Sequence, residues 1–313
     1  MIRAEESTKQ HAPYALGAID SNGVLCAVLV AVRVSTLDGL GAQISTRSIM
    51  YAEPISLDSE SGRAGIRSLI EKHDLDMCRN TLFSEVRPSF SGSDVTNALL
   101  ESGYQRCGYL NYELEINRCE DDLFCSMSPK RRNNVRSAIR KGVTVKELDL
   151  SSGIEDLYQL ITCSYKRSKV PFADMSLFHS VANQLDASRV RLLVAYYEGQ
   201  PVSAGCFLNY KNRVICWYAG TQRIPGVHSM TLVFWEAIKR FSQEGYAIFD
   251  LAGAGWEGEE YGPGKFKSKF GGIEINHGRY RKIYSPWKLM AANTAYQLIR
   301  RLDLYPGPSS LKQ

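Results

Sequence analysis

The stretch VRLLVAYYEGQPVSAGCFLNYKNRVICWYAG, residues 190–220, reads as three strands joined by two short turns. β-branched, aliphatic and aromatic residues fill 190–197, 202–210 and 214–220, and the turn formers Glu198-Gly199 and Lys211-Asn212 fall between them. Working outward, residues 230–243 carry apolar side chains at helical spacing, and 247–251 is a short apolar run with the length of a buried strand. Upstream, 143–148 reads as a strand, and 154–168 and 176–186 read as helices. Residues 143–251 therefore follow the order strand, two helices, three strands, helix, strand. Such alternation is the mark of an α/β unit.

The first half is a shorter, degenerate version of the same order. Segments 14–20 and 24–34 flank Ser21-Asn22-Gly23 and read as a hairpin. A glycine-rich connection at 38–41 leads to a strand at 44–51, and 61–73 is helical with Ile66, Leu69 and Ile70 on one face. A strand follows at 81–86, then a helix at 93–102 that starts on a Ser or Asp cap and stops at Gly103. Residues 110–116 alternate as a strand with one wet face. Next comes a basic helix between the Ser128 cap, Pro129 and Gly142, with Arg132, Arg136 and Arg140 on one face and Val135 and Ile139 on another. The expected organisation is α/β throughout, with two tandem domains that each hold a mixed, twisted sheet flanked by helices. The boundaries fall at 1–118 and 119–284, with an amphipathic C-terminal tail at 285–313.

Composition bounds the function. The chain has 313 residues, 44% hydrophobic and 23% charged, which is ordinary for a soluble globular protein of two domains. A net charge of +5 is too weak for a dedicated nucleic-acid binder but suits a site that receives phosphates. The longest apolar run, about residues 23–34, is too short to span a bilayer, and no signal sequence opens the chain, so a cytoplasmic protein is expected. The eight cysteines show no Cys-x-x-Cys pair and the five histidines do not join them, so reduced, mostly buried thiols and no metal are expected.

Chemistry concentrates in residues 253–272, GAGWEGEEYGPGKFKSKFGG, which follow the apolar run at 247–251. Glycines let a backbone approach a ligand closely, and Lys265, Lys267 and Lys269 supply positive charge. The run Phe266-Lys267-Ser268-Lys269-Phe270-Gly271-Gly272, after a strand ending Asp250-Leu251-Ala252-Gly253, resembles the closing segment of Fem-type aminoacyl (peptidyl) transferases, within the broader GNAT-like acyltransferases. Asn111-Tyr112, the basic helix after Ser128 and the following Lys141-Gly142-Val143-Thr144-Val145 fit the same group, so the resemblance covers about residues 105–282. The family's opening helix has no counterpart, and Tyr51-Ala52-Glu53-Pro54 stands where many relatives carry Arg-Gly-Pro.

The resemblance implies an acyltransferase that moves an aminoacyl or acyl group to a substrate amine in cell-wall or envelope metabolism. Lys267 matches the family's essential lysine, which faces an oxyanion or a donor phosphate, and Phe266 the aromatic before it. Tyr218 matches an acceptor-contacting tyrosine, and Arg167, beside Tyr165, an arginine on a substrate diphosphate. Asp250 is a candidate acceptor for the amine's proton. Arg132 and Arg136 are candidates for tRNA phosphates, with a solvated or interdomain face as the plainer reading. Arg223 and Gly226 occupy the place of the GNAT pyrophosphate loop, although Pro225 removes one N–H and His228 replaces a small residue. The donor is aminoacyl-tRNA or acyl-CoA, no cofactor is tightly bound, and the acceptor is an amine-bearing cell-wall or polysaccharide precursor. An acyl-CoA-dependent N-acyltransferase and a non-catalytic homologue that binds an envelope polymer are the alternatives. In the tail, Trp287, Leu289, Met290, Tyr296, Leu298, Ile299 and Leu302 with Lys288, Arg300 and Arg301 form an amphipathic helix that docks on the second domain or touches the inner face of the membrane.

Overall fold

The turn expected at 21–23 forms, with Asp20 Oδ1 accepting from the Asn22 and Val24 N–H groups at 2.9 Å. It joins β1 (His11–Ile19) to β2 (Leu25–Val34), preceded by a short helix α1 (Ile2–Glu6). A 3-10 turn (Gly39–Ile44) follows, then β3 (Arg47–Met50), β4 (Ile55–Ser56), α2 (Glu60–Met77), β5 (Phe83–Val86), α3 (Ser93–Glu101) and β6 (Gln105–Cys107). The computed structural model describes residues 1–89 and 93–301. Helix α2 presents the expected stripe of Ile66, Leu69 and Ile70 to a core of Ala27, Leu29, Ala31, Met50 and Val86. Gly65 permits that approach, since a Cβ there would sit 3.1 Å from Ala18, Ala27 and Cys26 alike.

The second sheet begins with β7 (Tyr109–Glu115), followed by α4 (Glu120–Ser126), α5 (Pro129–Arg140), β8 (Thr144–Leu148), α6 (Leu150–Ser168) and α7 (Met175–Gln184). The strands read from 190–220 are β9 (Val190–Tyr197), β10 (Gln200–Tyr210) and β11 (Arg213–Thr221). Glu198 and Gly199, with φ of +51° and +77°, make the tight turn between the first two. Then come α8 (Ser229–Gln243), β12 (Ile248–Trp256), α9 (Gly262–Lys267), a 3-10 turn (Ser268–Phe270) and β13 (Ile273–Ile275). Sheet order is β13-β7-β12-β11-β10-β9-β8, with β8 to β11 antiparallel and β11 parallel to β12. The core between this sheet and α8 holds Phe207, Phe234, Phe241, Phe249 and Phe270.

The chain ends in β14 (Arg279–Ile283) and α10 (Pro286–Arg301). Strand β14 pairs with both β5 and β6, so the first sheet runs β1-β2-β3-β5-β14-β6, with β4 beside β2. The two compact units are therefore residues 2–109 with residues 276–301, and Leu110–Ile275. The boundaries expected at 118 and 284 move for a physical reason: β14 fills a gap between two strands of the first unit. Helix α10 packs on the 3-10 turn of the same unit. Leu302 and the residues after it lie outside the described residues, as do the side chains of Ile299 and Arg300.

Two further expectations change. Only Cys26, Cys206 and Cys216 are buried, and the other five thiols are exposed. On α5 the buried stripe is Arg131, Val135 and Ala138, and Ile139 is 55% exposed. An arginine has taken the place where a hydrophobe was expected.

Candidate active site

Strands β11 and β12 pair over only three residues, ending at Ile215 opposite Asp250. Beyond that point both continue, β11 to Thr221 and β12 to Trp256, without pairing each other. The sheet opens into a fork. A bulge sits beside it: Cys206 pairs with Tyr218 and Phe207 with Cys216, leaving Trp217 as the extra residue. Paired residues share a face, so the bulge sends Cys216 and Tyr218 to opposite sides of the sheet.

Asp250, which pairs with Ile215, faces the same side as Tyr218, and Lys267 lies close to both Asp250 and Cys216. Asp250 Oδ1 accepts the Ala252 N–H at 2.7 Å, and Oδ2 lies 3.8 Å from Arg213 Nη1. Ala252 adopts a left-handed φ of +62°, unusual for a residue with a Cβ, and the strand turns there. Just past the turn, the Gly253 carbonyl accepts from Lys267 Nζ at 2.8 Å. Burial lowers the Lys267 ammonium below the ordinary lysine value, partly offset by Cys216 and Asp250. Burial also raises the Asp250 carboxyl, and Glu113 adds to it, against the Ala252 N–H, Arg213 and Lys267. Both groups are thus drawn away from their ordinary values toward neutrality.

Lys267 stands in the last turn of α9, and Gly264 lets that helix lie on β12. Phe266 packs edge-on against Phe234 and Phe270, with ring centroids 5.5 and 5.2 Å away. Its carbonyl accepts from Arg131 Nη2 at 2.9 Å, while Arg131 Nη1 donates to Thr231 Oγ1 at 2.8 Å. The Arg131 guanidinium lies 4.1 Å from the Phe266 ring centre and 4.8 Å from that of Phe270. Sequence reasoning chose Arg132 and Arg136 on this helix and missed Arg131. A stripe at 131, 135 and 138 was available as a signal, but an arginine at its head disguised it.

Tyr218 lies on the Asp250 side of the sheet. Its ring packs on Phe178 at 5.0 Å and near Tyr165 at 6.3 Å. Arg167, exposed in the last turn of α6, has its pKa lowered by partial burial and then by the neighbouring Arg223. Two guanidiniums thus sit together beyond the end of β11. The expected residues thus gather in two groups: Lys267, Phe266 and Asp250 around β12 and α9, and Tyr218, Tyr165, Arg167 and Arg223 around α6 and the end of β11.

Residues 129–267, which span both groups, match the family described as an acetyltransferase (GNAT) domain. The Fem-type resemblance is borne out as well. The chain is 24% identical, over 149 residues, to the UDP-N-acetylmuramoylpentapeptide-lysine N(6)-alanyltransferase of Weissella viridescens, a match covering 46% of this chain and 44% of that protein. The matched stretch is thus less than half of the curated relative's length. In fold, the chain is similar to FemX (TM-score 0.65, 12% identity, 95% of this chain and 92% of that one). It is also similar to L-PGS from Bacillus licheniformis (0.57, 13%, 95% and 91%) and to a tandem GNAT protein from the clavulanic acid biosynthesis pathway (0.55, 13%, 89% and 85%). At such identities these likenesses concern the fold, which is the expected α/β arrangement of GNAT-like domains.

Within this stretch the remaining expected residues make contacts inside the fold. Arg132 Nη1 donates to the carbonyls of Cys125 and Met127 at 2.7 and 3.1 Å, and Arg136 lies 5.1 Å over the Phe124 ring. Both fasten α5 to α4, which accounts for the pair without a nucleic acid. The loop before α8 is a turn in which the Val227 N–H donates to the Ile224 carbonyl at 3.1 Å and Gly226 has φ of +71°. Lys141 Nζ donates to the Gly226 carbonyl at 2.9 Å. With Pro225 lacking an N–H and that of Val227 engaged, this loop has two fewer donors for a pyrophosphate.

Proposed function

We propose that this chain transfers an aminoacyl group from an activated ester to the amine of an envelope precursor. The observation that carries the reading is the anchored Lys267 amine, held on the Gly253 carbonyl beside Asp250 where β11 and β12 part. The substrate nitrogen attacks the acyl carbon, a C–N bond forms, and the ester C–O bond breaks to release the ribose hydroxyl. Lys267, as an ammonium, faces the charge that develops on the acyl oxygen, and a preorganised donor of that kind lowers a barrier by about 3 kcal/mol. Asp250 takes the proton shed by the amine and returns it to the departing ribose oxygen, a role its raised pKa suits. Phe266 walls the pocket, Tyr218 and Tyr165 orient the acceptor, and Arg167 with Arg223 holds an anionic part of a substrate.

The loop before α8 favours aminoacyl-tRNA over acyl-CoA, because a CoA pyrophosphate would find few free N–H groups there. The Weissella relative, named for alanyl transfer to a muropeptide lysine, supports an amine acceptor in cell-wall synthesis. Such work belongs on the cytoplasmic side of the membrane. No helix among the described residues is long and apolar enough to cross one. Helix α10 could still rest on its surface through Trp287, Met290 and Leu298, which are 66%, 68% and 51% exposed.

The test is intact-mass detection of transfer with charged tRNA and long-chain acyl-CoA offered side by side to wild type and Lys267→Met. Transfer by wild type, with kcat about 100-fold lower in the variant, is expected. Transfer at the wild-type rate by Lys267→Met, or from neither donor, overturns the reading. The latter result would leave polymer binding as the function.

A further inference from the structure

The sheet of the first unit packs one face on α2 and α3, and its other face is charged. Ile49 and Arg281 both pair with Glu85, so these three residues point the same way. Two positions along each strand, Arg47, Arg87 and Arg279 share that face. Strands β3, β5 and β14, with the residue after β5, thus bring four arginines and one glutamate together.

The glutamate is already saturated. Arg87 Nε donates to Glu85 Oε1 at 2.8 Å and Arg279 Nη1 to the same oxygen at 3.2 Å. Arg281 donates to Oε2 through Nη2 at 2.5 Å and Nε at 3.2 Å. The Glu85 side chain is 2% exposed, and the surrounding guanidiniums overcome its burial and hold it at about 2. Aromatic rings fix the guanidiniums in turn: Arg87 lies 5.3 Å over Tyr51, Arg279 3.5 Å over Tyr109, and Arg281 4.7 Å over Phe83. Glu53 is a second carboxylate at this end of the sheet, where its Oε2 accepts from the Ser89 N–H at 2.8 Å. A third, Glu5, buried on His11, lies near Tyr51, so four positive charges stand against three negative ones.

An ion network that serves only stability balances its charges, because burying unpaired ions is costly. Here the surplus is positive. Burial, and then Arg87, lowers the pKa of both Arg47 and Arg279, the direction expected where cations crowd one another. The side chains of Arg87, Arg279 and Arg281 remain 33%, 17% and 31% exposed, so a ligand can reach them. Planar guanidinium forks match phosphate oxygens in pairs, and rings that hold the forks in place reduce the entropy lost on binding.

We propose that this face of the first unit binds a phosphate-bearing anion, a soluble phosphate ester or a lipid headgroup, between Arg47, Arg87, Arg279 and Arg281. The site shares no residue with the transfer chemistry proposed above and stands independently of it.

The test is calorimetric titration of the full chain with inorganic pyrophosphate at low salt, beside cosedimentation with phosphatidylglycerol vesicles. Arg47 makes no hydrogen bond to Glu85, so Arg47→Gln leaves that carboxylate's cage intact and guards against simple unfolding. Binding of either probe, weakened at least tenfold in Arg47→Gln and in Arg279→Gln but not in Arg167→Gln, is the expected result. Pyrophosphate binding assigns the site to a soluble ester, and vesicle binding alone assigns it to a headgroup. Failure of both probes, or binding unchanged in a folded Arg47→Gln, overturns the proposal.

Discussion

Arg131 is 8% exposed, its Nε has no partner, and among the described residues no carboxylate pairs with it. Burial pushes the guanidinium down to about 10. Such a group costs stability unless something offsets it, and what it holds is the carbonyl of Phe266, one residue before Lys267. We therefore expect Arg131→Met, apolar and similar in length, to keep or raise the melting temperature while kcat falls about tenfold, or about 1.4 kcal/mol. KM should move far less, and Arg131→Lys should restore part of the rate. A loss of stability with kcat unchanged would make the residue purely structural. The neighbouring pair predicts a pH profile. Asp250 is raised, so kcat/KM climbs as it loses its proton above the ordinary carboxylate range. Lys267 is lowered, so kcat/KM falls as it loses its proton below the ordinary lysine value. The bell is thus squeezed from both sides. Asp250→Asn should remove the acid limb, and Lys267→Arg should carry the alkaline limb to higher pH.

At the scale of elements, the site is a strand that turns and a helix that leans on it. Ala252 and Gly255 take φ of +62° and +111°, and a Cβ on Gly264 would lie 2.3 Å from the Ala254 carbonyl oxygen. Gly264→Ala must lift α9 off β12 and carry Lys267 with it. The expected cost is about 1–3 kcal/mol of stability, with a larger fractional loss of kcat than of melting temperature. Gly262→Ala, with nothing within 4 Å of its added Cβ, is the control and should be near neutral. This level was partly legible in the sequence. The strands in 190–220 were readable because turn residues punctuate β-branched runs, a local signal. Helix α9 was not, because Gly262-Pro263-Gly264 reads as a loop until β12 is there to pack on. Nor was the bulge at Trp217, since a register slip belongs to two strands at once. That slip is why Tyr218 and Cys216, two residues apart, face opposite sides of the sheet.

At the scale of the whole molecule, the first unit is completed from the far end of the chain. Strand β14 is too short and too charged to announce itself, and its identity comes from its partners, as strand identity often does. It pairs with Glu85 and Val86 of β5 on one side and with Gln105 and Arg106 of β6 on the other. The next residues add to the attachment. Lys282 Nζ and Tyr284 Oη donate to Asp74 of α2 at 2.7 and 2.5 Å, and Tyr104 Oη donates to it at 2.8 Å. A chain ending at Ile275 would leave β5 and β6 without their shared neighbour, and Glu85 with one of its three arginines. Unsatisfied ladder groups and a buried, under-paired carboxylate are each worth several kcal/mol, about the margin of a small domain. Such a chain should therefore fail to fold its first unit, seen as lost soluble yield or lost amide-exchange protection in residues 83–86. A chain ending at Ser285 keeps β14 and removes only α10, so it should keep that protection. If both truncations behave alike, β14 is not what closes the sheet.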